Sequence, residues 1–344
     1  MKTWKVAMIG FGTVGQGLAE ILLAKEKELK EKEGFAVKVT AISDFKLGSV
    51  LVPSGIDLKK ALALVKSGKT LGAYPGGKKG LDALATIKET NADIMIELAY
   101  TNIKTGQPAT GHVKAALSRG MHVATTNKGP VALFLPELSR LAKRKKVEFL
   151  FEGTVMSGTP TLSLFRRNLA GCRVSAVAGI LNGTTNYMLS EMEKGVAYDT
   201  VLAKAQKLGY AEAVPDADVK GFDALAKVVI LSNYVLGANV KPSDIPCQGI
   251  TKITPEMIQK AAKEGRRYKL IGRAEMKNGK LKASVKPVAL PLSDPLAGVG
   301  GATNAVTFET DLMGPVTVIG AGAGRVETGF SVLADLLEIH RSRK

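Results

Sequence analysis

The 344-residue sequence predicts an α/β fold in two domains. The first, residues 1–152, is a doubly wound parallel sheet; the second, residues 153–319, is an α/β domain with a mixed or antiparallel sheet. Three observations predict this. The chain is longer than one typical domain. Short apolar β-rich runs alternate with helical periods as far as Phe151, the rhythm of parallel strands with crossover helices. Beyond Gly153 that rhythm gives way to a run of helical segments and then to consecutive β-rich segments.

Lys5–Gly10 reads as a buried strand ending in glycine, and a helical period runs from Thr13 to about Glu33, closing in a charged run. Phe35–Ser43 is β-rich, and residues 53–90 hold two amphipathic helical stretches and several glycines. Strands are expected at Asp93–Leu98, Met121–Thr125 and Val147–Phe151, with helices at Gly106–Arg119 and Pro130–Lys145 between them. In the second half a helix near Thr159–Leu169 leads to a strand at Arg173–Leu181. Helices follow at about 184–193, 200–208 and 218–236, then strands at 268–276, 280–289 and 304–309. Residues 314–344 read as a strand, a glycine-rich turn and a helix, with 320–344 expected to pack back on the first domain.

Apolar residues make up 45% and aromatics only 5%, so the core is aliphatic. No stretch reaches the roughly 18 apolar residues of a membrane span, and the N-terminus lacks the signature of a secretory signal. Cys172 and Cys247 show no metal or disulfide spacing, which fits a reducing, cytoplasmic setting. The net charge of +17 raises nucleic-acid binding, but the lysines of 25–32, 143–146 and 260–269 are read as spread along amphipathic helices. Without one basic stripe and interleaved aromatics, they read as a solvated surface that also attracts an anionic cofactor. Neither a nucleic-acid nor a membrane partner is expected.

Gly10-Phe11-Gly12-Thr13-Val14-Gly15 is a GxGxxG directly after a strand and opening a helix. The glycines serve a tight turn, close approach of backbone to a pyrophosphate, and close helix–strand packing. The helix start offers N–H groups and a positive dipole end to phosphates. In that context the motif marks a Rossmann-type dinucleotide site. Asp44, ending the second strand, suits the ribose hydroxyls of NAD, whereas Lys46 suits the 2′-phosphate of NADP, so both cofactors stay open. Tyr100-Thr101-Asn102 and the loop Thr125–Pro130 with Lys128 follow parallel strands at their carboxyl ends, where such sheets place ligands.

Asp223 and Lys227 stand four apart on a helix that is apolar on most sides. A lysine among Phe222, Leu225, Val228 and Leu231 must be paired or functional, and an amine–acid pair suits proton transfer. Residues 209–218 ahead of it are rich in acids and broken by Pro215.

These motifs resemble homoserine dehydrogenase over nearly the whole chain, in its short, monofunctional form without kinase or ACT domain. They are GFGTVG at 10–15, TTNKGP at 125–130, FEGTV at 151–155, NGTTNYML at 182–189, LGYAEAVPDADVKGFDALAKVVIL at 208–231 and GAGAG at 320–324. The resemblance implies reversible, NAD- or NADP-dependent interconversion of L-homoserine and L-aspartate 4-semialdehyde by a homodimer. It implies Lys227 as catalytic lysine and Lys128 as a second lysine close to nicotinamide and substrate. Glu212, Asp218 and Asp223 are then substrate-pocket acids. Gly209 and Gly322 join Gly10–Gly15, Asp44, Lys46 and Thr101 as cofactor contacts. A monovalent cation, sodium, is implied at Glu152, Val155, Ser157 and Thr159. Threonine feedback through an appended domain is not expected, and Lys220 stands where the family often has asparagine. The competing readings are a dehydrogenase of a related amino-acid-derived substrate and a catalytically silent NAD(P)-binding regulator.

Overall fold

The structure, a computed structural model, describes residues 2–343. The chain divides into two compact units, Met1–Gly158 with Gly324–Lys344, and Thr159–Ala323.

The first unit starts with β1 (Thr3–Ile9), α1 (Thr13–Glu28) and β2 (Ala36–Asp44). It continues through β3 (Gly48–Leu51), α2 (Leu58–Lys66), β4 (Lys78–Lys79) and α3 (Ala83–Glu89). Then come β5 (Ile94–Glu97), α4 (Ala109–Ser118), β6 (His122–Thr125), α5 (Lys128–Lys145) and β7 (Phe149–Leu150). The sheet order is β4-β3-β2-β1-β5-β6-β7, parallel from β2 to β7. The order reverses between β1 and β5, and a switch point of this kind opens a crevice at the carboxyl ends of the strands. The antiparallel edge β3–β4 goes beyond the helices and turns expected there. Strands of four and two residues are too short to display a period-two pattern.

The charged tail of α1 ends in a wide turn, Leu29–Glu33, closed by Gly34 at φ 63°. Its pairs Lys25–Glu28, Lys30–Glu26 and Lys32–Glu28 are exposed and contribute little each. Trp4, Met8, Phe11 and Leu18 form one apolar core with Val332, Leu336 and Ile339 of the C-terminal helix (Arg325–Arg341, α11 in chain order). That helix lies on α1 so closely that a Cβ on Gly17 would stand 2.2 Å from the Arg325 carbonyl oxygen, and one on Gly329 2.8 Å from Leu18 N.

The second unit comprises β8 (Val174–Ile180), α6 (Gly183–Met192), α7 (Tyr198–Lys207), α8 (Asp216–Val219) and α9 (Phe222–Tyr234). It is completed by α10 (Pro255–Lys263), β9 (Arg266–Lys277), β10 (Lys280–Pro291), β11 (Thr303–Thr310) and β12 (Gly314–Ala321). Its sheet, β10-β9-β8-β11-β12, is antiparallel throughout rather than mixed. Helices α6 and α9 pack on it. The hairpin β9–β10 turns at Asn278-Gly279, both at positive φ, which matches the right-handed twist of the strands.

Three expectations change here. The single helix over 218–236 is broken by Gly221 at φ 84°, which leaves Asp218 on α8 and Asp223 on α9. The helix expected near 159–169 contracts to a wide turn, Leu164–Asn168, with its short approach. The lysines of 260–269 do not share one exposed helix: α10 stops before Gly265 at φ 67°, and Lys269 lies on β9, 1% exposed. Its ammonium donates to Val299 O at 2.7 Å and Asn186 Oδ1 at 3.2 Å, and burial pulls its pKa down.

Candidate active site

In the glycine turn after β1, Gly10 sits at φ +100°, and a Cβ there would meet the Leu98 carbonyl carbon at 2.5 Å. Gly15 faces Gly10 O, which would lie 2.7 Å from its Cβ. Gly12 differs, because nothing lies within 4 Å of its added Cβ. It is the N-cap of α1 and supplies no side-chain cap, so the helix start remains open to an anion. Thr13 is exposed and Val14 half-buried beside it. Phe11 is fully buried and offers only its backbone.

Asp44, at the end of β2, holds this turn. Its Oδ2 accepts from Phe11 N–H at 2.8 Å, and its Oδ1 from Lys46 and Leu47 N–H at 2.8 and 2.9 Å. The Lys46 side chain is exposed.

Past β5 and β6 the chain forms two adjoining turns. Thr101 and Asn102 lie on the first, where Asn102 Oδ1 accepts from Lys104 and Thr105 N–H. Lys128, expected on a loop, is the first residue of α5, because Asn127 caps that helix by accepting from Gly129 N–H at 3.1 Å. Asn127 Nδ2 donates across to Ala99 O and Tyr100 O, at 3.0 and 3.2 Å. Below them Glu97, fully buried, accepts from Ala99 N–H at 2.8 Å and pairs with His112 Nδ1 at 2.9 Å.

In the second unit Lys227 is 6% exposed. Its Nζ donates to Leu181 O at 2.5 Å and to Asp223 Oδ2 at 2.7 Å. Asn182, the N-cap of α6, donates to Asp218 Oδ1 at 2.7 Å and to Asp223 Oδ2 at 3.0 Å. One amide therefore joins both acids to the lysine. Burial, and next the Asp223 charge, push the Asp218 carboxyl up. Glu212 is not part of this cluster as it stands: it is exposed on the connection between α7 and α8. Gly209 closes α7 at φ +75° in open space. Gly322 lies flat on Asn304, where a Cβ would come within 2.1 Å of the carboxamide carbon. That carboxamide is buried with neither polar atom hydrogen-bonded.

Around the implied cation ligands, Glu152 is 3% exposed, Val155 is buried, and Met156 and Ser157 take left-handed φ of 57° and 53°. Two consecutive non-glycine residues there redirect successive carbonyls at a cost in strain. Thr159 begins the second unit and donates through Oγ1 to Ala321 O. Among the described residues no three His, Cys, Asp or Glu converge as a metal cluster.

Reasoning from the sequence did not nominate Asn182, Glu97, His112 or Asn304. Asn182 carried a signal, as an N-cap residue ahead of Gly-Thr-Thr. The other three become noticeable only through burial.

The family description "Homoserine dehydrogenase, NAD binding domain" matches residues 10–152, and "Homoserine dehydrogenase" matches residues 160–337. The NAD(+)-dependent homoserine dehydrogenase of Pseudomonas canavaninivorans is 44% identical, with 99% of this chain and 97% of that protein covered. The homoserine dehydrogenase of Methanocaldococcus jannaschii is 40% identical, with 98% and 99% covered. A solved hyperthermophilic archaeal homoserine dehydrogenase in complex with NADPH superposes with a TM-score of 0.85 at 28% identity, covering 99% of this chain and 98% of that one. With both units matched and relatives aligned from end to end, the chain belongs to the homoserine dehydrogenase family.

Proposed function

We propose that the protein interconverts L-homoserine and L-aspartate 4-semialdehyde, with a nicotinamide dinucleotide as hydride carrier. The observation that carries this reading is the buried Lys227 side-chain nitrogen on Asp223, joined through Asn182 to Asp218. An amine placed this way takes the hydroxyl proton of homoserine on oxidation and returns it to the aldehyde oxygen on reduction. Asp218 and Asp223 hold the substrate ammonium, with Glu212 closing from its exposed connection. A bound nicotinamide supplies the hydride transfer at the carbinol carbon. Lys128, the second lysine that the resemblance sets close to nicotinamide and substrate, is proposed to hold developing charge on the oxygen.

The first unit suits the dinucleotide: pyrophosphate at the uncapped start of α1 over Gly12, with Thr13 and Val14 beside it, and nicotinamide near Thr101. Gly209 and Gly322 are the further cofactor contacts that the resemblance implies. Asp44 accepts the ribose hydroxyls, and its carboxylate favours NAD over the 2′-phosphate of NADP, against the pull of exposed Lys46. The NAD(+)-dependence of the Pseudomonas relative agrees. Glu152 with the carbonyls of Val155, Ser157 and Thr159 is proposed to bind a monovalent cation, sodium, since buried oxygen ligands suit a hard ion. A cytoplasmic homodimer, joined through the second unit's sheet, completes the proposal. The free thiols of Cys172 and Cys247 suit a reducing compartment.

The test is a panel of amino-acid alcohols with NAD+ and NADP+, alongside NADH binding. Homoserine turnover with NAD+ preferred is expected. Dinucleotide binding with no turnover of homoserine would leave a silent binding protein, and turnover of another alcohol would leave a related dehydrogenase.

A further inference from the structure

Glu97 is a carboxylate with no exposure, at the last residue of β5, where the order of the parallel sheet reverses. Its register partners are Ile9, next to the glycine turn, and Thr125, next to the turn that carries Lys128. Isolating a carboxylate from water is costly unless its oxygens are fully used. Both are: Oε1 accepts from Ala99 N–H at 2.8 Å and Oε2 meets His112 Nδ1 at 2.9 Å. His112, itself 6% exposed, comes from α4. Burial pushes the Glu97 carboxyl up, and the bonds from His112, Ala99 N–H and Asn127 draw it back.

The bonds around the pair bracket one backbone segment. Ala99 offers its N–H to Glu97 and its carbonyl to Asn127. Thr125 Oγ1 donates to Glu97 O and accepts from Asn127 N–H, both at 2.9 Å. Asn127 in turn starts the helix whose first residue is Lys128. The carbonyl of Leu98 forms the floor under Gly10. A shift of residues 98–100 therefore reaches the glycine turn and the Lys128 turn together.

We infer that Glu97 and His112 are positioning residues for the dinucleotide: from beneath the sheet edge they lock the 98–102 turn and the start of α5 into the shape that receives the nicotinamide half. The inference rests on the cofactor placement proposed above. Neither side chain touches the ligand; they act through Ala99 and Asn127.

The test compares Glu97→Ala, Glu97→Gln and His112→Gln by fluorescence titration of NADH, by KM for NAD+ and for homoserine, and by thermal unfolding. Glu97→Ala should raise the NADH Kd and the NAD+ KM about tenfold or more, the loss of a charge-assisted bond, and raise the homoserine KM by less. Glu97→Gln keeps an acceptor for Ala99 N–H and a partner for His112, and should recover most of that affinity. A folded Glu97→Ala protein with unchanged NADH affinity overturns the inference. If Glu97→Ala does not fold, His112→Gln decides: a weaker NADH Kd with a smaller change in homoserine KM supports the inference, and an unchanged Kd overturns it. If the wild type binds NADH but does not oxidise homoserine, the reaction proposed above fails, while the Kd series still judges the positioning role.

Discussion

Lys227 Nζ stands 2.7 Å from Asp223 Oδ2, one turn apart on α9, and the same oxygen accepts from Asn182 on α6 at 3.0 Å. A surface pair at this spacing contributes little, but this lysine is 6% exposed and its remaining bond is to a backbone carbonyl. Lys227→Met fills the same space without the proton. It should lower kcat by about 10²–10⁴-fold and leave the NADH Kd unchanged. Stopped-flow turnover beside NADH titration reads both, and full activity would remove Lys227 as the proton carrier.

Asp218 has a raised carboxyl pKa, through burial first and the Asp223 charge second. It therefore takes up a proton at a higher pH than an ordinary aspartate does. As pH falls, the negative charge proposed to hold the substrate ammonium is lost early, so the homoserine KM should rise on the acid side. Asp218→Asn should show a high KM at every pH and no such limb. KM measured across the acid range checks this.

Asp44 accepts three backbone N–H groups, including that of Phe11 in the glycine turn. Asp44→Ser should raise the NAD+ KM about tenfold, losing both the proposed ribose acceptor and a charged bond to the turn. The NADP+ KM should change less, because the repelled phosphate gains what the ribose loses. The ratio of kcat/KM for the two cofactors is the readout.

The two glycines of the turn should respond differently to one added methyl. Gly12→Ala has open space in the free protein and should leave Tm unchanged while weakening NADH binding, since the methyl would occupy the approach proposed for the pyrophosphate. Gly10→Ala forces φ +100° and a 2.5 Å contact with the Leu98 carbonyl carbon, and should destabilise the fold by about 2 kcal/mol or more. Thermal unfolding separates the two.

His122 is buried on β6, accepts from Glu148 N–H through Nδ1, and has its pKa lowered from 6.5 to about 4, by burial first and then by Arg343 and Lys2. The unfolded state therefore binds the proton first as pH falls. The stability from neutral His122 is complete above pH 6.5 and is lost progressively as the pH drops to about 4. His122→Gln, which keeps an acceptor, should unfold with a flatter dependence on pH across that window.

The local signals in the chain were sufficient for much of this. The alternation of strand and helix, the glycine turn after β1, the acid ending β2 and the lysine on an apolar helix are all short-range patterns. Each follows from backbone sterics or from the cost of burying charge. The Asn-Gly hairpin and the break at Gly221 were also written locally, although the second was read through as continuous helix.

Tertiary packing decided the rest. Lys269 and Lys25 are the same residue type, yet one is enclosed by Asn186 and Val299 and the other pairs with Glu28 at the surface. Glu97 and His112 are fifteen residues apart, and only the packing of α4 against β5 brings them together. That Asn182 joins two acids, that Glu212 stands apart from them, and that Asn304 lies bare against Gly322 depend on where separate elements are laid side by side. A sequence states what each residue can bond to; which partner arrives, and whether water is excluded, is settled only when distant segments share one interior.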